Sequence, residues 1–494
     1  MSSRMVLLEL ERMGDLAQTL PALEGLVRQG VAVRLVVREH LLALARLLVP
    51  GAVECVAVPD APLLELEAAC RADDPGARTR AAELAAPLAR PGDTLVNLGY
   101  HHAGALLATA IAGEVVWGPW ISPSRERLTR GTWAAYLLAA VDARPAGRVH
   151  MTDLRRLTCA EALGRPLAGW QPITGPALTG QARVGLVLGA GDPARRGSPR
   201  WIETLAQMLI DGGCRLVLLG GEEDRSLADR LAAGLTRAPV NRVGSTSLEA
   251  LVDEVRSLDL VVGFDTGPLH LATACGTPVV MVLGGGAHCW ETGPWGSGDL
   301  ALQALEVGHA EVDRVPPAVV AAACRARLEG LAAPESGDGY RVVVAEPAPP
   351  SDGLGGLIYR HGGSISQALA QRRLLAAFAA GAEGRIGGAT AAVGNLAGEG
   401  CKQARRAIEA LASGAPRQAA EALQGLSASI DALLAQCRDD AEWRLIGAWA
   451  AALLENLPAM APEATTRACL DVLERVVAAV GTGAAAPVLA HNRS

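Results

Sequence analysis

The sequence predicts an α/β protein made of two Rossmann-like halves followed by a helical extension, and three observations carry that reading. Apolar runs of strand length alternate with helical segments over residues 5–116 and again over residues 184–283, with glycines at the strand exits. The clearest unit is 258–284, LDLVVGFDTGPLHLATACGTPVVMVLG, which reads strand, glycine turn, helix, strand. After about residue 335 the chain becomes rich in Ala, Leu and Arg with helical periodicity. The predicted divisions are 1–178, 179–334 and 335–494.

In the first half, Met5–Leu10 is a buried strand, followed by a turn at Glu11–Asp15 and a helix over 16–29. Strands are predicted at 31–37, 53–58 and 93–98, with a short one at Val115–Val116. Helices fall at 40–48, as one long element at 63–88, and from Ala103. Residues 119–178, rich in Pro, Arg and Trp, read as a connection holding one helix at about 131–142. The second half opens with the strand VGLVLGAG at 184–191, then a helix over 199–211, a strand at 215–221 and a helix over 222–235. A strand at 240–243 and a helix over 247–257 lead into the 258–284 unit. Tyr340–Ala345 reads as a strand and 347–357 as a Pro/Gly loop. From Ser364 a bundle of helices is predicted, broken at Gly398, Gly414–Pro416 and Pro458.

Composition narrows the function. Half of the 494 residues are hydrophobic, with two Phe and four Tyr, so the core is built from Leu, Val and Ala. A net charge of −7 without a long basic run argues against nucleic acid as a partner. The apolar run at Met5–Leu10 is too short for a signal peptide, and no stretch has the length of a membrane span, which reads as a cytoplasmic protein. Ten cysteines without C-x-x-C spacing suggest neither zinc nor a disulfide framework, and no D-x-D metal pair is found. Lys402 is the only lysine, so a cationic site in the first two-thirds of the chain must use arginine.

Two local patterns point to a site. Pro268 suits the first turn of a helix because its missing N–H would have had no partner there, which leaves the amides of Thr266 and Gly267 either aimed at an anion or part of an ordinary capped helix, since Asp-Thr-Gly occurs widely. Asp265 cannot hold phosphate and reads as a turn cap or an acceptor for a hydroxyl. Asp15 follows the first strand, at the mouth where parallel sheets present ligands, and reads equally as a helix cap or a general base. The Gly189-Ala190-Gly191 fragment lacks the helix start of a dinucleotide fingerprint, since Pro193 interrupts it, so no NAD or other cofactor is expected.

The motifs resemble those of glycosyltransferase family 9, the ADP-heptose:lipopolysaccharide heptosyltransferases. MGDLAQTLPAL at 13–23 is similar to the family's G-D-x-x-x-x-x-P-A-L, and LLGGEED at 218–224 with VGSTSL at 243–248 to its L-G-G-x-x-D/E and G-x-T-S-L. DTGPLH at 265–270 with GTP at 276–278 is similar to D-T-G-P-x-H…G-T-P. The resemblance implies a GT-B fold, two Rossmann-like domains facing across a cleft, and metal-independent inverting transfer of heptose from ADP-heptose to a hydroxyl of the lipopolysaccharide inner core. Another glycan, a surface protein such as flagellin, or a non-catalytic nucleotide-sugar-binding role are the alternatives, and a lipid-linked acceptor implies peripheral contact with the inner membrane.

Under that resemblance Asp15 is the general base. Thr266 and Gly267 take the diphosphate beside Asp265, and His270 is either a phosphate donor or a packed histidine. Glu223 or Asp224 accepts the ribose hydroxyls. The family's Lys-x-Trp is matched by Pro199-Arg200-Trp201, so Arg200 stands in for the lysine, with Arg195 and Arg196 as the other candidates. On the acceptor side, Gly14, His101 and His102 face the cleft or lie on the surface; Arg125, Arg127 and Arg130 meet an anionic acceptor or solvent. The iron-binding cysteine cluster of protein-heptosylating relatives is missing.

Overall fold

The computed structural model describes residues 4–480 except 91, 113–115, 123–124, 143–146, 168–169, 171, 174–179, 285, 306–311, 350–351, 353, 362–364, 381–389, 414, 440–442 and 456–461. Two compact units result. One holds 1–137 and 147–370, and the other holds 138–146 and 371–494.

The first unit contains two sheets. In the N-terminal lobe the chain runs β1 (Met5–Glu9), α1 (Met13–Arg28), β2 (Val33–Arg38), α2 (Leu42–Leu48), β3 (Glu54–Val58), α3 (Asp60–Arg71), α4 (Ala77–Ala85), β4 (Thr94–Asn97), α5 (His102–Ala112), β5 (Val116–Ile121), β6 (Arg127–Arg130), α6 (Thr132–Asp142) and α7 (Met151–Leu163). Strand order is β3-β2-β1-β4-β5-β6, parallel apart from the β5–β6 pair. β1 therefore lies at the point where strand order reverses, the position at which such sheets open a crevice beyond their carboxyl ends.

The second lobe runs β7 (Arg183–Val187), α8 (Pro199–Asp211), β8 (Arg215–Leu219), α9 (Arg225–Gly234), β9 (Val240–Asn241), α10 (Leu248–Arg256), β10 (Leu260–Phe264), α11 (Gly267–Ala274), β11 (Val279–Leu283), α12 (Cys289–Thr292), β12 (Leu300–Ala304), α13 (Pro317–Glu329), β13 (Tyr340–Pro347) and β14 (Leu357–His361). Its order is β14-β13-β12-β11-β10-β7-β8-β9, with β13 and β14 antiparallel at one edge. β10 and β11 are fully buried on both faces, as a central parallel strand must be. Between them α11 ends in a Schellman turn. Gly276, at φ +80°, allows Thr277 N–H to reach Ala272 O at 2.9 Å and Gly276 N–H to reach Thr273 O at 3.0 Å.

Three expectations change. The long helix over 63–88 is two helices, because Asp73 adopts a left-handed φ of +51° and Asp74 Oδ1 takes the Gly76 amide at 2.8 Å, closing a turn. Residues 119–178 hold more than one helix: β6 and α7 are also there. Gly398 does not break the bundle, since a single interior glycine costs only about 1 kcal/mol and the helix runs through it from Thr390 to Ala412. Val115, Gly414 and Pro458 lie outside the described residues.

The second unit is helical: α14 (Ser366–Ala380) leads into it, followed by α15 (Thr390–Ala412), α16 (Pro416–Asp439), α17 (Arg444–Glu455) and α18 (Pro462–Val480). Phe378 and Trp449 pack with ring centroids 4.6 Å apart, and both are buried, as are Val393, Leu473 and Val476. Gly400 lets α15 approach α18, since a Cβ there would lie 2.9 Å from Leu473 Cδ1.

Candidate active site

The site begins where β1 ends. Glu9, its last residue, is wholly buried, and its carboxylate accepts from Thr19 Oγ1 at 3.0 Å and the Glu11 amide at 3.3 Å. Burial pushes the Glu9 carboxyl up to about 7, against the pull of Arg155 and with Asp15 and Glu11 adding repulsion. One turn on, Asp15 occupies the third position of α1. Its Oδ2 accepts from the Arg12 amide at 3.3 Å, so it does cap the helix, while Oδ1 accepts from Arg155 Nη2 at 2.9 Å. Its side chain is 17% exposed.

Arg155 comes from α7 and is 3% exposed. Its Nη2 also lies 3.2 Å from Glu9 Oε2, and Nη1 donates to Gln18 Oε1 at 3.1 Å. Burial alone would lower the Arg155 pKa, but Glu9 and Asp15 outweigh it and raise it. An arginine can only donate, so the Gln18 oxygen faces Arg155 and its amide nitrogen faces His270 Nδ1 at 3.3 Å. His270 Nδ1 is then the acceptor, and Nε2–H donates to Asp265 Oδ1 at 3.1 Å. The far oxygen of Asp265 accepts from Arg195 Nη1 and Thr292 Oγ1, each at 3.0 Å. Burial opposes ionisation of Asp265, but His270, Arg195 and Thr292 prevail and hold it below the usual carboxylate range. A continuous polar chain thus joins the Asp15 loop of one lobe to the Asp265 loop of the other.

The helices carrying these loops touch. A Cβ at Gly14 would lie 2.8 Å from His270 Cδ2, and one at Gly267 2.5 Å from Met13 Cε. Thr266 is the N-cap of α11 in extended conformation, and Thr266, Gly267 and Pro268 are half-buried at the lobe boundary.

The remaining predicted residues divide. Arg200 is exposed on the first turn of α8, whereas Arg195, in the preceding turn, reaches Asp265; Arg196 Nη1 lies 3.6 Å from Asp224 Oδ1. Asp224 is buried and turned inward, taking the Gly221 amide at 3.1 Å, with burial raising its pKa. Glu223 is exposed and folds back over Gly221. His101 pairs with buried Glu11, which raises the His101 pKa, and Glu11 also takes the Tyr100 amide at 2.9 Å. His102 is exposed at the start of α5. A cavity of about 720 Å³ opens in front of the β1–α1 turn, lined among others by Glu11, Arg12, Arg38, Arg71, His101 and His102. Arg127 donates to Tyr100 O, Arg130 lies over the Trp120 ring at 5.9 Å, and Arg125 is exposed. Among the described residues no group of three or more His, Cys, Asp or Glu is placed to hold a metal ion.

Sequence reasoning missed Glu9, Gln18, Arg155 and Thr292. The signals were thin: a carboxylate closing an apolar strand, and arginines in a stretch read as connection.

Two facing Rossmann-like lobes with a carboxylate loop on one and a helix-terminus loop on the other define a GT-B architecture. Residues 189–314 match the model of glycosyltransferase family 9 (heptosyltransferase). Lipooligosaccharide heptosyltransferase 2 of Haemophilus ducreyi is 31% identical over 94 residues, 18% of this chain and 27% of that protein. Lipopolysaccharide heptosyltransferase 2 of Escherichia coli is 30% identical over 96 residues, 19% of this chain and 28% of that protein. The aligned stretch thus spans about a quarter of the curated relatives it matches. A solved glycosyl transferase family 9 structure from Veillonella parvula shares the fold, with a TM-score of 0.51 and 18% identity over 66% of this chain and 97% of that one. The family match therefore falls within the second lobe, over residues 189–314.

Proposed function

We propose that the chain is an inverting, metal-independent glycosyltransferase that moves heptose from ADP-heptose to a sugar hydroxyl of the lipopolysaccharide inner core. In this reading residues 1–178 hold the acceptor, 179–334 hold the nucleotide sugar, and the helical unit is an appendage. Asp15 takes the hydroxyl proton as the oxygen attacks the anomeric carbon and the bond to the diphosphate breaks. The leaving diphosphate is stabilised by Arg195 and by the amides of Thr266 and Gly267, with Asp265 and His270 fixing that loop. Glu223 serves the ribose, and the cavity beside Glu11, His101 and His102 takes the acceptor. The enzyme works in the cytoplasm and meets the inner membrane only through its acceptor lipid; among the described residues no helix is long and apolar enough to cross a membrane.

The observation that supports this most is the Asp15–Arg155–Gln18–His270–Asp265 chain, which holds a carboxylate of one lobe in register with the helix-terminus loop of the other. The test is transfer from ADP-heptose to deacylated core oligosaccharide from a heptose-deficient strain, with and without EDTA. Asp15→Asn is expected to lose about 10²–10⁴-fold in rate while still binding ADP-heptose, and EDTA to leave the rate unchanged. Transfer surviving in Asp15→Asn overturns the role of the base. Turnover with a different nucleotide sugar or acceptor, and none with these, replaces the substrates.

A further inference from the structure

Glu9 is wholly buried and cannot touch a substrate, yet the same arginine nitrogen serves it and the candidate base. Arg155 Nη2 lies 2.9 Å from Asp15 Oδ1 and 3.2 Å from Glu9 Oε2. Of the three groups, only Asp15 has appreciable exposure, 17% against 3% and 0%. Glu9 is the most rigidly placed. It ends the central strand of its sheet and is tied to Thr19 Oγ1 and the Glu11 amide. The charged groups around it are Arg155 from α7, Asp15 from α1 and Glu11 from the following turn, and Tyr100 from the β4–α5 loop acts on Asp15, Glu11 and Arg155.

We propose that Glu9 is a positioning residue for the transfer reaction: it anchors Arg155 between two carboxylates, so that Asp15 is aimed into the gap with only part of the guanidinium charge upon it. The physical content is a sharing rule. One cation divided between two carboxylates binds each more weakly than it would bind one alone, and water cannot take up the difference at a site this buried. With Glu9 uncharged, the whole charge of Arg155 falls on Asp15, which then accepts a proton less readily. Arg155 meanwhile keeps its bond to Gln18, so the link to His270 survives.

This inference rests on Asp15 being the base, and the experiment separates the two. Steady-state heptose transfer from ADP-heptose to deacylated core is measured against pH for the full-length wild type, Glu9→Gln, Glu9→Asp, Thr19→Val and Asp15→Asn. Glu9→Gln is expected to keep the KM for ADP-heptose within about twofold and to lower kcat roughly three- to tenfold above about pH 7, where Glu9 is ionised, with the two profiles converging below it, where Glu9 holds its proton and is already uncharged. Glu9→Asp, which retains the charge, is expected to lose less kcat above that pH than Glu9→Gln does. Thr19→Val removes only the hydroxyl that steadies Glu9, so a smaller loss of kcat should appear even where Glu9→Gln folds poorly. A Glu9→Gln profile superimposable on wild type across the whole pH range, or Glu9→Asp losing as much kcat above about pH 7 as Glu9→Gln does, overturns the positioning role and leaves the base intact. Full activity in Asp15→Asn removes both.

Discussion

Placing an alanine at Gly14 tests the contact on which the two lobes meet. The new Cβ would stand 2.8 Å from Cδ2 of His270, so reaching an ordinary contact near 3.4 Å requires the ring to retreat by about 0.6 Å. The ring is not free to do so. Gln18 holds Nδ1 at 3.3 Å and Asp265 holds Nε2 at 3.1 Å, and the second bond is charge-assisted. Overpacking of this kind costs about 1–3 kcal/mol, and losing a hydrogen bond to a charged group about 1.5–3 kcal/mol. Gly→Ala in a helix returns roughly 0.5–1 kcal/mol of backbone entropy. The expected net loss is therefore about 2–5 kcal/mol, read from the midpoint of urea unfolding followed by far-ultraviolet circular dichroism. A companion His270→Ala removes the obstacle, so the double variant should be more stable than the sum of the single losses by about 1 kcal/mol or more. Gly14→Ala at or above wild-type stability, with additive singles, would show that the ring yields freely and that the lobes are not locked through it.

Other expectations follow from single contacts. Arg195→Ala should weaken ADP binding by about 10- to 100-fold, and exposed Arg200→Ala by no more than about twofold, in titration calorimetry; the reverse order would return the cationic role to Arg200. The Glu9 carboxyl, raised from 4.5 to about 7 by burial, binds its proton more tightly in the folded chain than in the unfolded one. Its contribution to stability is thus full below about pH 4.5 and is lost as pH climbs through 7. Relative to Glu9→Gln, the wild type should lose roughly 3 kcal/mol across that window; parallel melting temperatures from pH 4.5 to 7.5 would contradict this. Gly118 sits at φ +88°, where a Cβ would lie 2.1 Å from the Asn97 carbonyl oxygen, so Gly118→Ala should cut soluble yield and melting temperature sharply.

The parts of this fold that could be read in the sequence are those where local chemistry and global position agree. The 258–284 unit is one: its strands are apolar throughout because both faces are covered, and Thr266, Pro268 and Gly276 each meet a backbone need at a helix end. The placement of Asp15 is another, since the apolar run of β1 and the turn after it put that carboxylate in the first turn of α1, just past a parallel strand. What escaped reading is the polar machinery joining these points. α7 buries Thr152, Asp153, Arg155, Arg156 and Thr158, so it lacks the apolar stripe by which a core helix announces itself, and its residues resembled a connection. Thr152 and Thr158 bond locally, to His150 and Leu154 O, but the charged groups are satisfied from farther along the chain: Asp153 takes Trp170 Nε1 at 3.0 Å and the Leu357 amide at 3.1 Å, and Arg156 reaches Leu167 O at 3.1 Å. Such pairings leave no periodic trace. The same reason separates Arg195 from Arg200. Both are arginines near one helix start, and only the path of the turn at Pro193–Arg195 decides which reaches Asp265. Helix and strand are set by spacing along the chain, while a site of this kind is set by which charges the lobes bring together. A substitution in α7 is therefore expected to disturb the site more than its position in the sequence suggests.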